Sequence, residues 1–189
     1  MLTATYSLLA IRLEQKNACS LLARLRHYLQ AMQRKYEYVD PPTLLSMISQ
    51  LQHFDQHLHA RKIEKHVIPV LCCATDEADL LLEELERLSF SARQNLLTLQ
   101  RYPYRCTTID DHQSFFLVAE HYCENISQRL VKEEKSLISV VGKALTREDW
   151  FALGARFLTE DGKKYMSRSG MASSVPLTAV ISDESTAAN

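Results

Sequence analysis

The sequence predicts an all-α fold, an up-down four-helix bundle closed by a short fifth helix at its C-terminal end. Three observations carry this. Glycine occurs four times and proline five times in 189 residues, too few for strands joined by tight turns. Four long segments repeat apolar residues at helical spacing. The breaks between them are short, which makes successive helices antiparallel neighbours.

The first segment runs from about Ser7 to Tyr36, with Leu9, Ile11, Leu21, Leu22, Leu25 and Leu29 on one stripe. "YVDPP" ends it: Asp40 caps the next helix, and proline is tolerated in a first turn. The second segment carries Leu44, Leu45, Met47, Ile48, Leu51, Leu58 and Val67 and ends near Cys72. "ATDEADLL" opens the third, with Thr75 or Asp76 as cap and acidic residues where the helix dipole favours them. Its stripe is Leu81, Leu85, Leu88, Ala92, Leu96 and Leu99.

"RYPYRCTT" (101–108) interrupts the pattern, and Asp110 or Asp111 starts the fourth helix, through Phe115, Val118, Ala119, Tyr122, Ile126, Leu130 and Leu137. "LTREDWFALGARF" (145–157) is a short fifth helix capped by Thr146, whose Trp150, Phe151, Leu153 and Phe157 form an apolar face able to close the bundle. Any part of that face left exposed would make a homodimer contact. Residues 1–160 thus make one helical domain, and 167–189, small and polar, a flexible C-terminal tail.

Lys and Arg number 22 against 23 Asp and Glu, so neither a nucleic-acid footprint nor a polyacidic tail is present. The N-terminus lacks a signal peptide's basic start, and no apolar run reaches the roughly 18 residues of a membrane span. The expectation is a cytoplasmic protein without membrane or nucleic-acid partners. Five cysteines, at 19, 72, 73, 106 and 123, lack a framework spacing and read as reduced thiols. Cys19 reads as a core residue, and thiol redox sensing through Cys72–Cys73, or Cys19 with Cys123, as a minor alternative. Four of seven histidines (53, 57, 59 and 66) crowd the second helix, without a carboxylate at ligand spacing. They read as a helix face.

Three stretches carry a resemblance. "IRLEQKNACSLLARL" (11–25), "ARKIEKHVIPVL" (60–71) and "RLVKEEKSLISVVGKALTREDW" (129–150) resemble the helix motifs of the bacterial hemerythrin-like, cation-binding family. The closing "LTREDW", at the family's distance from "EE", is the most specific part. The resemblance implies a hemerythrin-like bundle over about residues 5–155 and a pair of metals held by histidines and carboxylates.

This chain departs from the family's ligand pattern. The first-helix histidine falls on Gln15. The second-helix histidine falls on Ala60, with its partner glutamate kept as Glu64. The third-helix histidine falls on Ser89, or on Glu86 if the register slips. The fourth-helix histidine falls on Arg129, with its partner glutamate kept as Glu133. A second register places His59 in the ligand position but loses the glutamate and the match at Pro69.

Without imidazoles, two glutamates, a glutamine and a serine cannot complete two iron coordination spheres. No metal and no cofactor are expected. Two buried carboxylates do need a counter-charge. Arg129, one turn before Glu133, is expected to supply it and to reach Glu64, with Gln15 bonding nearby and Glu134 near the rim.

The function expected is therefore non-enzymatic: a bundle that has lost its di-iron site and serves as a regulatory or protein-interaction module. The alternative is a metal-binding protein for oxygen or metal sensing or storage. Its site would join Glu64, Glu133 and Glu134 to His59, His66 or His121 and hold Fe, Mn, Mg or Zn.

Overall fold

A computed structural model describes residues 2–36, 39–104 and 108–172, with side chains described up to Met166 except Leu2, Lys164 and Tyr165. The described residues are all-α, without strands. The elements are α1 (Leu2–Lys35), α2 (Pro41–His59), α3 (Ile68–Ala74), α4 (Asp79–Leu99), α5 (Ile109–Lys132), α6 (Ile138–Ala144) and α7 (Arg147–Ala172). None of them is long and apolar enough to cross a membrane.

The breaks follow the local chemistry. Asp40 caps α2, accepting from the Thr43 backbone N–H at 3.2 Å, and prolines stand in the first turn. Thr75 accepts from the Glu77 N–H at 3.1 Å and opens a 3₁₀ turn (Asp76–Ala78) that leads into α4. At α5 the cap is Thr108 rather than Asp110 or Asp111. Thr108 and Asp111 form a reciprocal capping box, which puts Asp111 three residues inside the helix. Thr146 and Asp149 repeat that exchange at the start of α7.

Two expectations about length need correction. The second segment is not one helix: α2 stops at His59, and α3 is entered through a π-helical turn, Ile63–Val67. A second π turn, Glu133–Leu137, joins α5 to α6. Nor is the fifth helix short, since α7 spans 26 residues. It continues past Ser167, where the tail was placed; residues 173–189 lie outside the described residues.

The apolar core comes in two parts. One packs Ala18, Leu22, Leu25 and Leu29 of α1 against α2, the second half of α4 and α5 as far as Leu130. The other packs Ile11 of α1 against Ile63, Val67 and Leu71, Leu85 of α4, Leu137 and Val141, and Trp150, Leu153 and Phe157 of α7. Burial of these side chains is the main stabilising term, about 1.5–3 kcal/mol for each large one. Phe151 is 68 % exposed and takes no part in that closure; Leu9 and Leu45 also face outward. Gly154 is where α7 approaches α1: a Cβ there would lie 2.4 Å from Thr3 Cγ2.

Candidate functional site

Between the two apolar clusters, α1, α4, the α2–α3 junction and the α5–α6 junction each contribute polar residues. On α1 this is Gln15, between Ile11 and Ala18. On α4 it is Ser89, between Leu85 and Ala92. At the α2–α3 junction Arg61 and Glu64 stand between Leu58 and Val67, and at the α5–α6 junction Arg129 and Glu133 between Ile126 and Leu137. These six side chains meet in one layer.

Glu133 is its centre, with no exposed surface. The Arg61 guanidinium grips it in bidentate fashion, Nη1 donating to Oε2 at 2.8 Å and Nη2 to Oε1 at 3.0 Å. Arg129 Nε donates to Oε1 at 2.9 Å. Arg129 also donates through Nη2 to Glu64 and through Nη1 to the Ser89 hydroxyl. Ser89 in turn donates to the Leu85 carbonyl at 2.9 Å. Gln15 accepts from Arg61 Nη1 at 2.7 Å and donates to the Leu130 carbonyl at 2.6 Å. Arg61 Nε donates to the Leu58 carbonyl at 2.9 Å, satisfying a group at the end of α2.

Two guanidinium and two carboxylate groups sum to no formal charge, and each finds oppositely charged partners. Charge-assisted, partly bidentate bonds of this kind offset the cost of taking ions out of water. Burial alone lowers the affinity of the Arg129 guanidinium for its proton. The Glu64 and Glu133 carboxylates outweigh that, and its pKa lies above the ordinary arginine value.

Five of the six positions singled out in the sequence therefore converge: Gln15, Glu64, Ser89, Arg129 and Glu133. Glu134 is exposed, as its place on the rim required. Ala60 is the exception. It ends α2 with φ −82° and ψ −4° and is exposed. Because the helix breaks there, spacing counted along a continuous helix is off by one residue, and Arg61 faces inward instead, 2 % exposed. Sequence spacing still held a signal for it, since Arg61 stands three residues before Glu64 and shares its helix face.

Both carboxylates sit on the π turns. Such wide turns are rare and are frequent at functional sites. Pro69, which has no N–H to give and whose ring crowds the preceding turn, accounts for the first one. No proline stands near the second.

A smaller polar cluster ties α7 to this region. Lys62 Nζ bonds Asp161 at 2.7 Å and Glu14 at 3.2 Å, and Tyr6 donates to Asp161 at 3.0 Å. His66 lies 3.1 Å from Glu160 and 5.7 Å, ring to ring, from Phe157. His59 is 3.7 Å from Asp55. His53 and His57 line a surface groove with Tyr28, and His112 is buried at the start of α5. Among the described residues no three His, Cys, Asp or Glu side chains converge as a metal site needs. Cys19 is exposed, not core. Burial of its sulfur and the neighbouring Glu134 carboxylate raise its pKa, which disfavours the reactive thiolate.

The chain matches no protein-family model, no curated protein and no solved structure.

A surface depression of about 1140 Å³ lies between the end of α1 and the start of α5 and shares no residue with the polar layer. A groove of about 670 Å³ reaches the layer through Gln15, with Arg12, Lys16, Cys19 and Glu134 along it. Within the layer the four ionic groups are all engaged with one another. Such a layer ties together the helices that contribute to it.

Proposed function

We propose that this chain is a non-enzymatic four-helix bundle of hemerythrin-like type in which two arginines stand where metals would. It serves as a regulatory or protein-interaction module. One observation carries the reading: Glu64 and Glu133, each on a π turn facing the bundle interior, are both neutralised by Arg61 and Arg129. The four walls of the layer are α1, α2–α3, α4 and α5–α6, the arrangement in which bundles of this class carry core sites. Gln15, Ser89 and Arg129 occupy the positions where the resemblance expects histidines, and Ala60 beside Arg61 the fourth. The donor set does not fit a metal pair, because the carboxylate lone pairs point at guanidinium groups and imidazole nitrogen is missing. No step of any reaction is assigned to these residues.

Elemental analysis of the protein purified without chelators tests this reading. Iron, manganese and zinc well below one equivalent per chain are expected, also after incubation with ferrous or manganous ion. A stoichiometric, tightly held metal would overturn it in favour of the metal-binding alternative.

A further inference from the structure

The outward side of α7 carries a feature that the other described residues leave unused. Phe151, Ala155, Leu158 and Gly162 follow one another at alternating four- and three-residue steps, the spacing of a helix–helix seam. All four are exposed, Phe151 by 68 % and Leu158 by 57 %. They lie beside the face that buries Trp150, Leu153 and Phe157, so α7 has one apolar side packed inward and a second facing out.

Gly162 is informative. A glycine inside a helix is destabilising by up to about 1 kcal/mol relative to alanine. A Cβ at this position would meet nothing within 4 Å among the described residues, so none of them requires a missing side chain there.

We propose that α7 pairs with α7 of a second copy of this chain, antiparallel, about a two-fold axis at the level of Arg156 and Phe157. In that register Phe151 lies opposite Gly162 and Ala155 opposite Leu158, a large side chain facing a small one at each step. The space left at Gly162 receives the partner copy's aromatic ring. Glu148 and Lys163, both exposed and flanking the seam, come within two residues of one level, so that each copy's carboxylate faces the other's ammonium. A parallel pairing would set Phe151 against Phe151 and Glu148 against Glu148, and forfeits both complementarities. From Glu148 to Met166 the seam is roughly 27 Å long. A contact through one helix per copy belongs among small interfaces, so weak association, of about micromolar affinity, is expected. The inference rests on α7 alone and stands independently of the reading of the polar layer.

Sedimentation equilibrium of the full chain tests it. Between about 5 and about 200 µM the mass should rise from 21.7 kDa toward twice that value. Gly162→Leu, which has room to fold, should weaken association by roughly tenfold or more while helical content is retained. Glu148→Lys should weaken it too, and adding Lys163→Glu should restore it. A chain that stays monomeric at the highest concentration overturns the proposal. So does a folded Gly162→Leu variant that dimerises as well as the parent, or a charge swap without restoration.

Discussion

Arg61 is where the account is most exposed to test. Replacing it by methionine keeps most of the volume and removes five hydrogen bonds: two to Glu133, and one each to Gln15, Glu64 and the Leu58 carbonyl. Glu133, with no exposed surface, keeps Arg129 Nε as its one ionic partner. The four-group layer then carries one uncompensated negative charge. Removing one partner from a buried ion pair costs about 3–5 kcal/mol. Arg129→Met belongs in the same range but at its lower end, because Glu64 keeps Arg61 Nη2 at 3.4 Å and, at 16 % exposed, can reach water. Urea unfolding followed by far-ultraviolet circular dichroism measures this. With a slope of about 2 kcal/mol per molar urea, the midpoint of Arg61→Met should fall by roughly 2 M. Replacing Arg61, Arg129, Glu64 and Glu133 together by apolar or neutral residues of similar volume should recover most of that loss, because no charge is left stranded. Single variants within about 1 kcal/mol of the parent would refute the reasoning, since that is the range of exposed ion pairs.

Further outcomes follow from the same structure. The hydroxyl and backbone N–H of Thr146 bond Asp149 and hold its carboxyl below the ordinary value of 3.8, and Thr43 does the same for Asp40. Carboxylates with depressed pKa stabilise the fold above their unfolded value, and that contribution is lost as pH falls through the folded one. Helical content measured against pH should therefore begin to drop below about pH 4, and Asp149→Asn should remove part of that dependence. A parent and variant with identical acid profiles would contradict it. For the cysteines, burial pushes the Cys123 thiol up to about 12, whereas Cys72 and Cys73 are exposed. Iodoacetamide at pH 8, read by peptide mass spectrometry, should label Cys72 and Cys73 in the native protein and Cys123 only after unfolding. Fast native labelling of Cys123 would show that the α5 core opens.

The all-α class was legible because helical periodicity, caps and the scarcity of glycine agree with one another. Thr75, Thr146 and Asp40 sit at helix starts as their side-chain chemistry requires. The polar layer was legible in part because Gln15, Arg129 and Glu133 interrupt apolar stripes at core positions, where a polar residue demands a partner. Arg61 was missed for a geometric reason. Helical spacing carries a residue's direction forward only while the helix continues, and α2 stops at Ala60. The π turns were hidden for a related reason, since one additional residue per turn leaves no mark in composition. The length of α7 was misjudged because Gly162, Ser167 and Gly170 weaken the helical pattern without ending it. Cys19 looked apolar by type, but its neighbours Arg12 and Lys16 line the same open groove.

Arg61 and Arg129 are interior ions whose N–H groups are committed to the protein. Arginine Nε–H signals in a ¹⁵N-resolved proton spectrum at neutral pH report this directly. Arg61 Nε–H bonds the Leu58 carbonyl and Arg129 Nε–H the Glu133 carboxylate, both within 2.9 Å and shielded from water. Two slowly exchanging Nε–H resonances are expected, one disappearing in Arg61→Met and the other in Arg129→Met. If every arginine Nε–H exchanges with water as fast as that of a surface side chain, the two guanidinium groups are not buried and the account fails.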